Sequence, residues 1–551
     1  MSFGPRVRAR RPAGWRPPPW RDPATYRDRD RWGRLGRLTV VHLPVAAAIV
    51  FFFVRFALLS VQVQDAYGAP GFDLGIFDQG TWLLSRFHAP FVTVMGRDLF
   101  GDHTSFVLLL AVPLYWIWPE AQTLIVLQAF LLAAAAVPIY LVALRRLGRV
   151  WAATGLVLAY LLDPALQRGS LEAAGPFHPE SFLVLFLAVA LYAAIEWRPK
   201  LLVASVIGCL LVKEDVALLV IPLAAWVFWR RDRRLAVGLA VGALAYAVFA
   251  REVVIRLLLG TTSFYTDRIP FGGISGLMAA PFVHTGKFVA YVKSGYRPFY
   301  VWQTGAAFGW AFLLAPEVAA IAILTLAENT LSSFPYMQQI QYHYALSLVP
   351  VLAMGTVYAI SRLQQPRLRN AATCYVVAVS VVACWLWGLA PFSRHPTFPH
   401  SDPNGPAVAA VNRALQAVPA HAEVSAAYPY VSHLDHRRYC YQWPTPFRAT
   451  YWYLYTQEGQ TLPFAGKIQY LVIPSQLSRD DATTFARIAS QFRLVAAGGG
   501  VSVYRRVAAA DPAAAAGPAA PAGPAAAAGP AAAAGPAAAA GPAAAAGPGP
   551  G

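Results

Sequence analysis

The chain has 551 residues, of which 57% are hydrophobic and only 13% are charged, and its mean hydropathy is +0.45. A soluble protein of this length normally carries about a quarter charged residues, so the composition excludes an ordinary soluble enzyme and an intrinsically disordered chain. It predicts a polytopic α-helical membrane protein. The formal net charge of +18 would also suit a nucleic-acid-binding protein, and the position of the charges decides between these classes.

The N-terminal segment carries much of that charge. Residues 1–37 hold eleven arginines against three aspartates and include three consecutive prolines, a composition that predicts a disordered basic cytoplasmic tail. The apolar run that follows, from Leu38 to about Gln62, is long enough to cross a bilayer. We therefore predict a first membrane span here rather than a cleaved signal peptide.

Ten further apolar runs complete a predicted membrane domain of about eleven spans over residues 38–391. With the N-terminus inside, the segments rich in lysine and arginine are cytoplasmic and the sparsely basic loops are outside, as the positive-inside rule requires. The basic excess is therefore a topology signal, and no nucleic-acid partner is predicted. The runs lie near residues 121–143, 150–162, 181–196, 200–212, 215–229, 235–258, 298–314, 316–333, 344–361 and 371–391.

One short apolar run interrupts the first loop. Residues 104–118 end in Trp116-Ile117-Trp118, a cluster typical of a membrane interface, and a span here would invert every later loop. We predict an interfacial helix on the outer face. Residues 61–120 then form one large external loop with interfacial helices.

The C-terminal part changes character after the last span. Residues 392–507 mix helical periodicity with strand-like runs such as IQYLVIPS, and they predict a small extracytoplasmic α/β domain. Its aromatic-rich stretch between residues 428 and 455 can stack on sugar rings or lie at the membrane interface. Residues 508–551 repeat AAAAGP, in which regular proline prevents a continuous helix, and we predict a disordered spacer.

Acidic residues gather on the predicted outer face, and Asp73 is the foremost candidate for chemistry. It lies between Phe72 and Phe77, near the end of the first span, where a carboxylate can act as a general base. With Asp102 it can also bind a divalent cation, Mg²⁺ or Mn²⁺, the one cofactor class considered. Asp78 lies about 140° further around a helix, so the two aspartates cannot face one cavity. The alternative is that these aspartates only cap short helices.

Other polar side chains in the outer loops are candidates for lining a cavity or binding a phosphate. Lysine is a common phosphate ligand, and charged breaks between short spans often line cavities. Simpler explanations are a local ion pair for the lysine, a helix-start signal for a glutamate and snorkelling for the arginine. The phosphate or cavity candidates are Lys213, Arg55, His103 and His343, and the secondary acidic candidates are Asp78, Asp102, Glu180 and Glu214.

A series of motifs in a fixed order resembles a known family. The first external loop contains FDLGIFDQGTW, and HPESF, VKEDVAL and QYHYALSLVP follow in later outer segments. The outer tail then contains VSAAYPYVSHLDHRRYCYQWP. Over residues 38–507 the chain resembles the bacterial predicted membrane protein family called domain of unknown function 2079, which is related to the GT-C glycosyltransferases.

The resemblance implies a GT-C-like fold and an activity. Enzymes of this class take a sugar from a polyprenyl-phosphate carrier and transfer it on the outer side of the membrane. By this resemblance Asp73 matches their catalytic or metal-linked acid, His103 the polar position that opens the second interfacial helix, and Lys213 the lysine between paired short spans. The sequence FDLGIFD replaces the acidic dipeptide that often follows the first span. The expected partners are a polyprenyl-phosphate-linked sugar, a cell-envelope acceptor and the lipid bilayer.

Two other functions remain open from the sequence. A transporter or flippase of a lipid-linked envelope precursor would be expected to show paired repeats and polar groups at the midplane, whereas the charged groups here cluster toward one face. A non-catalytic envelope assembly protein could keep the fold without activity. In each case the expected location is the bacterial cytoplasmic membrane, with the N-terminus inside and the C-terminal domain outside.

Overall fold

A computed structural model describes residues 31–69, 71–171, 175–260, 265–394, 402–451 and 457–507. The described residues as far as Arg506 belong to one compact unit. Residues 1–30 of the predicted basic tail and the whole predicted spacer 508–551 lie outside the described residues, so disorder there stays a prediction.

The first helix, α1, is longer than the predicted span. It runs Arg31–Asp65, so the predicted end of the tail at residue 37 falls inside a helix. Its 35 residues span about 52 Å at 1.5 Å per residue, well beyond the ~30 Å of a bilayer's hydrocarbon core. The part that is long and apolar enough to cross a membrane is Val40–Asp65.

Short elements fill most of residues 61–120, which keep the name first external loop from the predicted topology. The predicted interfacial run 104–118 forms a 3-10 turn, Phe106–Leu110, and one turn of α-helix, so no spanning helix forms there. A two-stranded antiparallel hairpin lies earlier in the loop. The elements in chain order are α2 (Asp73–Ser85), β1 (Phe91–Val92), β2 (Arg97–Asp98), α3 (Leu99–Asp102) and α4 (Val112–Tyr115).

Apolar helices make up most of the remaining chain as far as residue 387. They bury one another's alanine- and leucine-rich faces, and several stop at a proline, a glycine or a charged break. They are α5 (Gln122–Ala134), α6 (Ala136–Leu147), α7 (Val150–Leu161), α8 (Pro164–Ser170), α9 (Glu180–Ile195), α10 (Pro199–Leu210), α11 (Ala217–Arg230), α12 (Arg233–Phe249), α13 (Arg256–Leu259), α14 (Ile274–Val283), α15 (Thr285–Lys293), α16 (Arg297–Ala306), α17 (Pro316–Ala319), α18 (Ile323–Leu331), α19 (Leu348–Arg362) and α20 (Pro366–Trp387).

The predicted count of about eleven spans is not confirmed. Among the described residues, five helical segments are long and apolar enough to cross a membrane, or six if α7 and α8, bent by 52°, form one span. The predicted runs 298–314 and 316–333 are broken into short α-helical and 3-10 pieces, and α10 and α11 have only 12 and 14 residues. A hydropathy run reports apolar composition, but it does not report these breaks. The five segments are Val40–Asp65, Gln122–Leu147, Arg233–Leu259, His343–Arg362 and Pro366–Trp387.

Residues 402–507 contain a mixed five-stranded sheet. Its strand order is β4-β3-β5-β7-β6, with β3 parallel to β4 and β5, and β7 antiparallel to β5 and β6. Gly499 and Gly500 both have positive φ and make the tight β6–β7 turn that side chains would strain. The elements are α21 (Pro406–Leu415), β3 (Val424–Ala426), β4 (Cys440–Gln442), β5 (Tyr470–Pro474), α22 (Arg479–Ala486), β6 (Phe492–Gly498) and β7 (Val501–Arg506).

The sheet packs directly on the helical part. One apolar core extends from α1 and α2 through α5–α9 to Val424 and Ala426 of β3. A smaller cluster around Trp443 and Phe447 fills the far side of the sheet. The predicted boundary at residue 392 therefore does not separate two hydrophobic cores, and the sheet region is held against the first external loop.

Candidate functional site

The charged break between α10 and α11 forms the centre of the candidate site. Lys213 has extended backbone dihedrals, φ −165° and ψ 153°, which end the helix and turn its side chain inward. Its Nζ lies 3.5 Å from Glu180 Oε1 and 3.4 Å from Asp215 Oδ2. Burial alone would lower the pKa of Lys213, but Asp215, Glu180 and Glu214 raise it well above the usual range. The ammonium group is therefore charged at neutral pH.

Glu214 joins this break to the first external loop. Its Oε1 lies 2.7 Å from His103 Nδ1, and its Oε2 accepts a hydrogen bond from the Thr104 backbone N–H at 3.2 Å. Burial would raise the pKa of Glu214, but the charge and hydrogen bond of His103 and the charge of Lys213 lower it to about 2. The contact fixes the end of α3 beside the α10–α11 break.

Asp102 belongs to the same group of charged side chains as Lys213 and Glu214. Arg97 Nη2 and the Tyr265 hydroxyl both donate to Asp102 Oδ1, at 2.6 and 2.8 Å. Burial would raise the pKa of Asp102, but the charges of Arg97 and His103 and these hydrogen bonds lower it. The Tyr265 ring stacks on His103, and Arg268 Cζ lies over the Tyr265 ring, 4.0 Å from its centroid. Asp102 thus remains a carboxylate that orders the loop.

Asp73 is joined to the break by two histidines. It is the first residue of α2, and its Oδ2 lies 3.4 Å from His178 Nε2. The ring of His178 stacks on His343 with 3.9 Å between centroids, and His343 Nε2 lies 3.8 Å from Glu180 Oε1. A continuous series of contacts therefore connects Asp73 to Lys213 through His178, His343 and Glu180.

A cavity of about 760 Å³ opens beside these groups. Charged and polar side chains line part of it, and apolar side chains line the rest. The apolar residues include five from α14, of which Ile274, Met278 and Phe282 are 62–84% exposed. Such a cavity suits a ligand with a charged head and a long hydrocarbon chain. The charged and polar lining residues are Asp102, His103, Glu180, Lys213, Glu214, Asp215, Arg251, Tyr265, Arg268, Thr325, Glu328, Asn329, Ser332, Tyr344 and Ser347.

The structure separates the predicted site residues into three sets. His103, Lys213, Asp102, Glu180 and Glu214 line the cavity. Asp73 and His343 do not line it, but they reach it through the contacts just described. The third set, Arg55 and Asp78, lies elsewhere.

Arg55 and Asp78 are not brought to the cavity. Arg55 lies about 15 Å along the α1 axis from Asp65, and its Nη2 donates to the Leu389 backbone carbonyl at 2.9 Å. Asp78 is fully buried on another face of α2 from Asp73, where Tyr115 and His436 contact it.

Within the described residues, neither Asp73 nor Asp102 belongs to a group of three or more closely spaced potential metal ligands. Asp73 is paired with His178, and Asp102 is held by Arg97 and Tyr265. The structure therefore gives no support to a Mg²⁺ or Mn²⁺ ion held jointly by these two aspartates.

Several lining residues escaped the sequence reasoning. Arg268, Tyr265 and Glu328 lie in segments that pair with the outer loops only in the folded chain. His178, the first residue of HPESF, was not singled out in the sequence as a site residue, although it is the residue that contacts Asp73. The one sequence signal for the contact between His178 and Asp73 was that HPESF and Asp73 lie on the same predicted membrane face.

The low pKa of Glu214 predicts a pH dependence. Because folding lowers the pKa from 4.5 to about 2, the contact stabilises the fold above pH 4.5, and this stabilisation is lost as the pH falls toward 2. The contribution is at most about 3 kcal/mol. The melting temperature of Glu214→Gln in detergent should lie below wild type at pH 6, and the gap should shrink to roughly a quarter of that value by about pH 2.5, as the folded-state carboxyl begins to be protonated. The exposed Glu458→Gln should show no gap; a Glu214→Gln gap that is constant with pH would contradict the assignment.

Comparisons with known proteins identify the fold. A family model described as "Predicted membrane protein (DUF2079)" matches residues 68–502. The structure of ArnT from Cupriavidus metallidurans in the apo state is 15% identical, with a TM-score of 0.51, over 86% of this chain and 99% of that chain. A structure of the same protein bound to undecaprenyl phosphate is 13% identical, with a TM-score of 0.49, over 85% and 99%. No curated protein sequence matches significantly.

These comparisons confirm the resemblance inferred from the motifs. ArnT is a GT-C glycosyltransferase, and at 15% identity the likeness establishes a shared fold and no more. The molecule is thus a membrane protein with several apolar helices and a GT-C-like fold.

Proposed function

Since this chain belongs to the DUF2079 family of predicted membrane proteins, we propose that it is a GT-C-type glycosyltransferase. It moves a sugar from a polyprenyl-phosphate donor to a cell-envelope acceptor on the outer face of the bacterial cytoplasmic membrane. The N-terminus lies inside, and residues 392–507 lie outside. The observation that carries the proposal is the cavity lined by both charged and apolar side chains, beside an aspartate–histidine pair.

The cavity supports a lipid-linked donor. The exposed apolar residues of α14 would face the prenyl chain, and Lys213 and Arg268 are charged residues of the lining, beside which a phosphate would sit. When the sugar leaves its carrier, negative charge builds on the phosphate oxygens, and nearby fixed cations stabilise that charge. The phosphate leaves without needing a proton, so only one general base is required.

Asp73 is proposed as that base. Its side chain keeps 24% exposure while the His178 side chain beside it is almost fully buried, so an acceptor hydroxyl can approach the carboxylate while the imidazole holds it in place. The carboxylate takes the hydroxyl proton as the acceptor oxygen attacks the anomeric carbon, and the bond to the carrier phosphate breaks. The acceptor enters from the side of Asp73, opposite the donor in the cavity.

An aromatic cleft supports a saccharide acceptor. It has a volume of about 490 Å³ and lies between the first external loop and the sheet. Gly96 allows the Tyr451 ring to pack closely on the backbone, because a Cβ there would come within 2.5 Å of the ring. Aromatic rings pack well on sugar faces, and arginine can hydrogen-bond to hydroxyl groups. The lining includes His88, Arg438, Tyr439, Tyr441, Tyr451 and Phe464.

A deletion strain tests the proposal against its alternatives. Without a transferase, the lipid-linked sugar should accumulate on the outer leaflet, where a reagent that does not cross the membrane can modify it, and one surface glycan should disappear. Without a flippase, the precursor should accumulate on the inner leaflet, protected from that reagent. Without a non-catalytic assembly protein, no lipid-linked sugar should accumulate. Either of the last two results would contradict a glycosyltransferase.

A further inference from the structure

A second cluster of ionisable groups lies away from the cavity, between α2 and the segment before β4. It consists of Asp78, Asp435 and His436, and one ligand atom from each lies within 4.8 Å of the others. Asp78 and Asp435 are 0% and 1% exposed, and the His436 side chain is 24% exposed. Within the described chain, this is the group whose spacing suits a metal ion.

Close backbone contact brings the two aspartates together. Gly71 N–H donates to the Tyr428 carbonyl at 3.0 Å, and a Cβ on Gly71 would lie 2.4 Å from that oxygen. A Cβ on Gly75 would lie 3.3 Å from Asp435 Oδ2. The start of α2 can therefore approach the turn Tyr428–His433 only because these positions lack side chains.

The carboxylates are short of hydrogen-bond donors. Asp78 Oδ1 accepts from the Tyr115 hydroxyl at 2.5 Å and lies 3.0 Å from His436 Nε2. By ordinary hydrogen-bond geometry, Asp78 Oδ2 and both oxygens of Asp435 have no donor among the described side chains other than each other's carboxyl group. A buried carboxylate without partners is strongly unfavourable. Something further must compensate these oxygens.

The nearest arginine does not supply that compensation. Arg437 follows the cluster in sequence, but its guanidinium donates to the backbone carbonyls of Leu434, Pro419 and Ala422. Its hydrogen bonds therefore hold the loop and do not go to the carboxylates, although its charge acts on Asp435. The Trp82 ring, stacked 5.8 Å from His436, holds the imidazole toward Asp78.

We propose that Asp78, Asp435 and His436 bind one divalent cation of the Zn²⁺ class. Two carboxylates and one imidazole are a ligand set that Zn²⁺ accepts in four-coordinate sites, with a water or a second carboxylate oxygen in the fourth position. The imidazole favours Zn²⁺ over Mg²⁺ or Ca²⁺, which prefer oxygen ligands. The ion holds the sheet region against α2, the helix whose first residue is Asp73. The site is independent of the proposed sugar transfer.

Metal analysis of the purified full-length protein tests the site. After removal of metal by a chelator, wild type should bind about one Zn²⁺ per chain, and its melting temperature should rise on Zn²⁺ addition. Asp435→Asn and His436→Gln should weaken Zn²⁺ binding by at least about 10-fold and abolish the rise in melting temperature. His421→Gln and Asp480→Asn, at exposed positions of the same region, should behave as wild type.

If a variant fails to fold, measurements on the wild-type protein alone still test the metal site. A metal-free wild type that binds no Zn²⁺ or Mn²⁺ and is not stabilised by either would overturn the site, and would leave a proton shared between Asp78 and Asp435 as the compensating group. Unchanged Zn²⁺ binding by the folded Asp435→Asn and His436→Gln variants would place the ion elsewhere and equally overturn it. Neither readout depends on glycosyltransferase activity.

Discussion

Asp73→Asn is expected to lower sugar transfer by at least about 100-fold, because a positioned general base typically contributes 10²–10⁴-fold. The amide has nearly the same shape as the carboxylate and can remain beside His178, 3.4 Å away in wild type, so the fold should persist. The measurement is the amount of lipid-linked sugar and of surface glycan in a deletion strain that expresses the variant. Membrane abundance and topology should match wild type.

The matched control for this prediction is Asp65→Asn. Asp65 lies at the end of α1 and accepts a hydrogen bond from Gln122, which an amide oxygen can also accept. It lies outside the cavity, and its substitution should leave transfer unchanged. Full activity of Asp73→Asn would exclude Asp73 as the base. If Glu180→Gln were inactive in the same assay, the role would pass to Glu180, which lines the cavity.

Lys213→Met is expected to weaken binding of a polyprenyl phosphate by about 10- to 100-fold, because a charge-assisted hydrogen bond contributes about 1.5–3 kcal/mol. Transfer should fall by about 100- to 1000-fold, since the same cation also stabilises the departing phosphate. The first quantity can be measured as the dissociation constant of the purified protein for polyprenyl phosphate in detergent. The second can be measured in the complemented deletion strain.

The effect of Lys213→Met on the stability of the fold must be measured separately from its effect on polyprenyl-phosphate binding. Lys213 lies among Glu180, Asp215 and Glu214, so its removal leaves carboxylates without their counter-charge and can destabilise the fold by about 3–5 kcal/mol. Lys213→Arg keeps the charge and should recover part of the affinity, whereas Lys200→Met, at an exposed residue of α10, should have no effect. A folded Lys213→Met protein with wild-type affinity for polyprenyl phosphate would remove Lys213 from the donor site.

The local sequence identified some of the residues that line the cavity. The motif VKEDVAL interrupts two apolar runs, and a charged break in such a place must turn toward protein or water rather than lipid. Lys213 and Glu214 accordingly line the cavity. The spacing of Asp73 and Asp78 around a helix was also readable, because both lie in α2 and 3.6 residues complete a turn. The structure places them in different groups of contacts.

Other site residues depended on contacts between distant segments. Arg268 and Glu328 meet Lys213 across the cavity, although more than fifty residues separate either from it in sequence. Arg55 shows that nearness in sequence does not bring a residue to the cavity. It lies in α1, close in sequence to the first external loop, yet its side chain donates to the Leu389 carbonyl after α20. Hydropathy identifies a helix but not the face on which each side chain meets its neighbours.

Composition by itself determined that the chain belongs in a membrane, since 57% hydrophobic residues cannot be buried in a soluble fold with only 13% charged residues to cover it. The motif order also determined the family. Only the tertiary structure decided that His178 joins Asp73 to the cavity and that Asp435 and His436 meet Asp78. The reason is physical: membrane insertion depends on the sum of local transfer free energies, whereas a site depends on which distant backbones pack closely enough for their side chains to touch.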